Sequence, residues 1–353
     1  MTSHAPIEWD IGTAYDFFVS LSVLHEPDKF GLRGSWAAGV RSRLPVAERE
    51  LLQRASDVIW PLPWVYSLPK PKDGATVLAA LREMPAAGRL EALLSRQPEP
   101  VNALLHDVSA RRNWQEADQD ELVRLMMADD WKKHPAGVVR KVATSALDLW
   151  RDPTETGDGL LAALGCYYAE FFAEEEIRIR PMLEAALERA QTLARRLLRP
   201  KLLEELSQGV RMSPEWERKS LILAPSFWGT PLALMAKMEL ERGIILFGAR
   251  PADASLIPGE LVPDALYQAL KALADPTRLR ILRYLTEEPL TPAELARRLR
   301  LRAPTVIHHL DALRLARVVI VTLEAEGKRY AIRPEAIDAV CGMLHEFLAA
   351  TRD

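Results

Sequence analysis

Twelve lysines and arginines fall between Arg278 and Arg333 against six acidic residues, a net of +6. Residues 1–260 carry 32 basic and 37 acidic side chains, a net of −5. A basic module on an acidic body is the electrostatic footprint of a nucleic-acid reader. Inside that module, Arg297, Arg298 and Arg300 cluster where they suit phosphates, contacts that position a protein without reading sequence. Arg302, Ala303, Thr305, Ile307 and His308 follow, with the chemistry of base edges. An arginine can pair with guanine, and an alanine or isoleucine can meet a thymine methyl. Lys328 and Arg329 form a second basic pair beside Gly327.

Such side chains read DNA only if a helix presents them. Thr291 suits an N-cap, Pro292 the first helical position, and Glu294 lies three residues after the cap. Leu295, Ala296 and Leu299 give that helix an apolar stripe, with small Ala296 placed where a second helix would cross. The turn is Arg300-Leu301-Arg302-Ala303, with Leu301 expected to point inward. Pro304 starts the second helix, and Val306, Leu310 and Leu313 repeat at helical spacing toward a core. Thr305, Ile307, His308 and Asp311 fall off that stripe, and residues early in a recognition helix are the ones that reach bases. Val318–Leu323 reads as a strand, Glu324-Ala325-Glu326-Gly327 as a turn, and Lys328–Ile332 as the returning strand. Gly327 is free to take positive φ there. Three short helices and a basic hairpin, in that order, predict a winged helix-turn-helix for double-stranded DNA.

These segments resemble the ArsR family of winged-helix regulators. LADPTRLRIL is similar to that family's first-helix signature, and ELARRLRLRAPTVIHHLDAL to its helix-turn-helix. The resemblance covers residues 262–350, about a quarter of the chain. It implies a homodimer built by the flanking helices, here Pro263–Ala274 and Pro334–Ala350. Leu266, Leu270 and Leu273 supply apolar surface to the first, and Ile337, Val340, Leu344, Phe347 and Leu348 to the second. A two-fold dimer would read a pseudo-palindromic operator with half-sites about one helical turn apart. The resemblance implies a transcriptional repressor, and two departures narrow it. Founding members sense metals through a cysteine pair in the first motif helix, where LTPAELARRL has none. Other members place Asp and His ligands on the last helix. Here that helix carries Asp338, Cys341, His345 and Glu346, and the step from Asp338 to His345 does not reproduce the usual spacing. Cys341 and His345 are one turn apart, but two groups do not make a metal site. A surface histidine and a buried thiol are expected instead, with no metal and no cofactor. Arg302-Ala303 stands where the family often has Ser-Gln, so no family operator carries over.

The chain has 353 residues, enough for two or three domains, with 48% hydrophobic and 27% charged residues. The fold class expected is mainly α: a helical N-terminal domain with a small β element, then an α+β winged helix-turn-helix. A Pro- and Gly-rich stretch, Gly248–Pro263, suggests the division, with 1–255 an effector or dimerisation domain and 262–353 the DNA-binding domain. Thr13–His25, Val138–Trp150, Leu160–Arg178 and a long Pro181–Gln208 suit helices, the last kinked or broken at Pro200. Ser220–Ala224 and Gly243–Phe247 suit strands, expected to pair as a hairpin-like sheet around Pro225–Lys237. Glu174-Glu175-Glu176 is expected on a solvated helix face. Two cysteines, Cys166 and Cys341, fit a reducing cytoplasm. The N-terminus lacks a basic, then apolar, leader. Ser220–Ala236, the longest uncharged run, is interrupted by Pro225, Gly229 and Pro231, so no membrane span is expected.

No phosphate loop, His-Glu-x-x-His or Gly-x-Ser-x-Gly occurs, so no catalytic residue is nominated and a non-enzyme is expected. The alternative is an enzyme or protein-interaction domain fused to a winged helix used for localisation or dimerisation. All nine tryptophans precede residue 229. Two proline-framed segments place Trp60, Trp64, Phe227 and Trp228 where they could wall a small-molecule effector pocket, although core packing is the simpler reading.

Overall fold

The computed structural model describes residues 6–94, 98–128, 131, 134–239, 241–324 and 327–349. Ala325 and Glu326 of the expected wing turn, and Ala350 of the expected last helix, lie outside them. The chain is mainly α, with 65% of it helical and a small β component. It forms two compact units: Met1–Ile11 with Glu26–Trp36 and Pro181–Asp353, and Gly12–His25 with Ala37–Arg180. The Gly248–Pro263 stretch, expected to separate two domains, lies inside the first of these.

The second unit is helical. Pro45, Pro85, Pro98 and Pro135 directly precede Val46–Ala55, Ala86–Leu93, Glu99–Arg111 and Ala136–Trp150. A missing N–H costs nothing at a helix start. Asp73 and Asp152 cap Gly74–Glu83 and Pro153–Tyr167 through their side chains, accepting from the Thr76 and Glu155 amides at 2.8 and 3.0 Å. Phe17 sits in an aromatic cluster, 5.1 Å from Phe18 and from Phe172 and 5.5 Å from Tyr167. A π-helical turn, Tyr168–Phe172, joins Pro153–Tyr167 to Ala173–Ala194. Widening one turn rotates the face that follows. Glu175 and Glu176 are 4% and 5% exposed, while Ile177 is 76% exposed. The glutamate run is therefore not a solvated face; only Glu174 is exposed. Its burial is supported by donors, as a buried carboxylate requires. Glu176 accepts from the Thr13 hydroxyl, from Gly74 N–H at 3.2 Å and from the Tyr168 hydroxyl at 3.1 Å. Arg178 Nε donates to Glu175 at 3.0 Å.

Seven strands are described, all in the first unit: β1 (Ile7–Trp9), β2 (Val210–Arg211), β3 (Ser220–Ser226), β4 (Leu234–Glu239), β5 (Arg242–Gly248), β6 (Val319–Glu324) and β7 (Gly327–Ile332). One sheet runs β1-β3-β5-β4. The two strands expected as a hairpin instead lie parallel, from Ser220 opposite Arg242 to Ser226 opposite Gly248. Both are almost wholly buried, which is the habit of continuous apolar strands in parallel sheets. The antiparallel place beside β5 is taken by β4, and β1 pairs in parallel with β3. The expected long helix Pro181–Gln208 is two helices, Ala173–Ala194 and Arg199–Leu206. The break falls at extended Leu198, so that Pro200 occupies the first turn of the second helix, where proline is tolerated.

The second sheet is the wing, in the order β2-β6-β7. The β2 strand joins it in parallel, with Val321 N–H donating to Gly209 O at 2.8 Å. This pairing ties residues ahead of Gly248 to the winged helix. Around the wing stand Asp264–Leu273, Pro276–Glu287, Pro292–Leu299, Ala303–Leu315 and Pro334–Ala349. Their shared core includes Ile281, Leu295, Val306, Leu310, Leu313 and Val319, each at most 1% exposed.

Local chemistry fixes where these helices begin and end. Asp275 caps Pro276–Glu287, accepting from Arg278 N–H at 2.9 Å. Thr291 and Glu294 form a capping box, with Thr291 N–H donating to Glu294 Oε2 at 2.7 Å and Glu294 N–H to Thr291 Oγ1 at 3.3 Å. Arg300 ends that helix in the left-handed region at φ 58°. Gly327 returns the wing at φ 150°.

Two outcomes are expected. A Cβ on Gly157 would stand 1.8 Å from the Ala86 carbonyl oxygen, where backbone must move. Gly157→Ala is expected to destabilise the helical unit by about 1–3 kcal/mol, read as a lowered urea midpoint. Thr291→Ala should remove about 1 kcal/mol from the winged helix. The backbone N–H of Thr291, then its hydroxyl, hold Glu294 below the ordinary 4.5, helped by Arg329 and Arg297. That contribution is complete above pH 4.5 and is lost as pH falls through the lower folded value. Glu294→Gln should therefore flatten the acid limb of the stability profile measured by chemical unfolding.

Candidate nucleic-acid interface

The recognition helix is Ala303–Leu315, and its two faces separate cleanly. Val306, Leu310 and Leu313 are fully buried. Thr305, Ile307 and His308 are exposed, Ile307 at 44%, and Arg302 stands exposed at the N-cap without capping through its side chain. Ala303 is half-buried in the first turn. All five residues nominated for base contact thus lie on or beside the first turns of one helix. Leu301 differs from expectation: it is 37% exposed rather than pointed inward. Its N–H closes the preceding helix on Ala296 O at 3.0 Å, and Arg300's left-handed backbone turns the side chain outward.

Of the nominated cations, Arg297, Arg298, Arg300 and Lys328 are exposed and Arg329 is half-buried. Arg298 is ion-paired with Glu288 and lies over the Tyr284 ring at 5.7 Å. Arg329 donates to Pro289 O at 2.9 Å, and its guanidinium lies 3.3 Å from Glu294 and 3.5 Å from Glu324. It therefore clamps the wing to the start of the first motif helix. Leu290 and Tyr330 exchange backbone hydrogen bonds at 2.9 and 2.8 Å across the same junction.

Burial shifts several groups behind the helix. It lowers His309 against the pull of Asp275, 3.9 Å away, and raises Asp311 against Lys328, Arg314, His308 and Lys29. Arg317 is lowered to about 10 by burial and by Arg333, and Tyr330 is raised to about 12 by burial and by Asp311.

The flanking helices Asp264–Leu273 and Pro334–Ala349 leave apolar surface uncovered. Tyr267 is 44%, Leu270 40% and Leu348 71% exposed, while Leu344 and Phe347 are half-buried. Cys341 is exposed, which corrects the expected buried thiol; the helix turns it away from Ala336 and Val340, which face the core. Among the described residues, no group of three or more His, Cys, Asp or Glu is placed to hold a metal ion. Among them also, no helix is long and apolar enough to cross a membrane.

The four aromatic residues nominated for an effector fall as two pairs, one in each unit. Trp60 and Trp64 are half-buried in the helical unit, with Trp64 edge-on to Phe18 at 6.3 Å. Phe227 and Trp228 are fully buried in the other, where Trp228 stacks on Trp36 at 6.3 Å and Arg250 lies 5.7 Å from the Phe227 ring. Sequence reasoning missed Lys29, Arg33 and Lys271, which line a cleft together with His308 and Asp311 of the recognition helix. Nothing in the local pattern of residues 26–36 marks them, because the association is made by folding.

A helix-turn-helix domain model matches residues 273–322. The HTH-type transcriptional regulator CmtR of Mycobacterium bovis is 36% identical over 91 residues, which is 26% of this chain and 77% of that protein. The HTH-type transcriptional regulator CmtR of Mycobacterium tuberculosis matches with the same figures. No solved structure gives a significant match. The family model's match holds Pro276–Glu287, the two motif helices and the start of β6. Through its C-terminal module the chain belongs to the ArsR family of helix-turn-helix transcriptional regulators.

Proposed function

We propose that the chain is a dimeric, sequence-specific repressor that binds a pseudo-palindromic operator. The observation that carries this reading is the exposed first half of the recognition helix, set behind a helix that a capping box fixes. Arg302, Thr305, Ile307 and His308 project from it, and Arg297 and Arg300 flank it. Arg302 pairs with guanine, Ile307 and Ala303 meet thymine methyls, and His308 reads a base edge. Arg297, Arg300 and Lys328 take phosphates, while Arg298 and Arg329 hold the frame from their ion pairs. The dimer forms through the flanking helices, where Leu270 and Leu348 are uncovered. The free cysteines Cys166 and Cys341 suit a reducing cytoplasm.

The residues ahead of the family module sense a small molecule or add dimer contacts. Sensing requires a ligand that favours one dimer geometry over another. The first motif helix carries no cysteine, so the thiolate pair of founding members is not part of this reading. The buried glutamates of the helical unit do not favour an enzyme, since Glu176 is occupied by Thr13, Gly74 and Tyr168.

Footprinting on the DNA upstream of the protein's own operon tests the reading. A protected palindrome is expected, and affinity equal to that for random DNA at physiological salt overturns it. Arg302→Ala or His308→Ala should cost about 1–3 kcal/mol on the operator and relax the preference at one position of each half-site. Arg297→Ala should instead weaken all sequences alike and reduce the salt slope by about 1. Leu348→Glu should shift sedimentation from dimer toward monomer and weaken operator binding with it.

A further inference from the structure

A cleft of about 670 Å³ opens in the first unit, between the segment Glu26–Trp36, the helix Asp264–Leu273 and the recognition helix. Its volume falls in the range of small-molecule sites. Gln268 Nε2 donates to Gly31 O at 2.7 Å and Arg33 pairs with Glu260, so side chains from both sides fix the N-terminal segment in place.

The lining has a definite sign. Lys29, Arg33, Lys271, Arg278 and Arg314 face two acids, Asp28 and Asp311, with His308 beside them. Apolar surface comes from Leu32, Leu232, Tyr267 and Leu315. Lys29 and Arg33 have surface partners in Glu26 and Glu260, and the Lys271 ammonium lies 5.8 Å from the Tyr267 ring. Arg278 gives one N–H to Lys271 O at 3.1 Å, but its Nε is buried with no hydrogen-bond partner. Burial also pulls the Arg314 guanidinium downward, a shift that an anion alongside would reverse.

We propose that this cleft binds a small organic anion, an acidic group on an apolar body, and that its occupancy controls the recognition helix. His308, Asp311, Ala312 and Leu315 of that helix line the cleft, spaced as one helical stripe. His308 thus belongs both to the cleft and to the surface proposed to read bases. A bound anion takes up or repositions His308 and so couples to DNA affinity. This coupling rests on the DNA-binding reading; the anion site does not.

The probe is 8-anilinonaphthalene-1-sulfonate, a sulfonate on an aromatic body, titrated into the full chain without DNA and followed by fluorescence. One saturable site per chain is expected. Lys271→Glu and Lys29→Glu, both at exposed positions, should each weaken it at least tenfold, with unchanged thermal unfolding. Arg189→Glu, exposed on another helix, should leave it unchanged. Equal probe affinity in wild type and both reversals overturns the site. Reversals that spare the probe but lower DNA affinity and its salt slope make the cleft a phosphate-contact surface, which also overturns it. In a second arm, saturating probe should change operator affinity at least threefold. An unchanged operator affinity refutes control of the recognition helix, and failure of all specific DNA binding refutes the reading above while the probe titration still decides the site.

Discussion

Glu294 accepts from the amide and hydroxyl of Thr291 and pairs with Arg329 on β7. One carboxylate therefore starts the first motif helix and fastens the wing to it. The backbone exchange between Leu290 and Tyr330 lies across the same joint. A helix can enter a groove while a wing meets the neighbouring backbone only if their separation is fixed beforehand. Here it is fixed by charge-assisted bonds that satisfy orphan groups at a helix start, where the macrodipole also favours an anion. The residues proposed to read bases lie elsewhere, but the frame that positions their helix converges on this side chain.

The winged helix was legible because its signals are local. Thr291-Pro-Ala-Glu294 spells a capping box, and Val306, Leu310 and Leu313 spell a buried stripe at helical spacing. Gly327 marks a turn that needs positive φ. Charge supplied the partner class independently of shape. The exposed face from Arg302 to His308 then followed from periodicity alone. What the pattern could not separate was a phosphate contact from a structural clamp. Nothing in the sequence marks Arg298 and Arg329 for the ion pairs they make with Glu288, Glu294 and Glu324.

The rest depended on distant partners. Ser220–Ala224 and Gly243–Phe247 read as strands, but their parallel pairing, with β1 and β4 on either side, did not show in the sequence. Glu175 and Glu176 read as solvated because three charges in a row usually are. For Glu176 the donors that allow burial come from Thr13, Gly74 and Tyr168, up to 163 residues away. The π-helical turn that rotates them inward has no residue signature. The same holds for Lys29 and Arg33, whose neighbours on the recognition helix lie nearly 300 positions later in the sequence.

Val210–Arg211 closes one side of the wing by pairing with β6. Ser207 Oγ secures the approach, accepting from Val210 N–H at 3.1 Å. This short strand limits how portable the reading module is. A winged helix transplanted without it would carry β6 as an open edge, and open edges recruit other chains. Fusion, duplication or recombination at the Pro- and Gly-rich stretch that follows β5 would produce that exposed edge. The heritable unit of this regulator is therefore longer than the family module, and reaches back at least to the turn at Gly209.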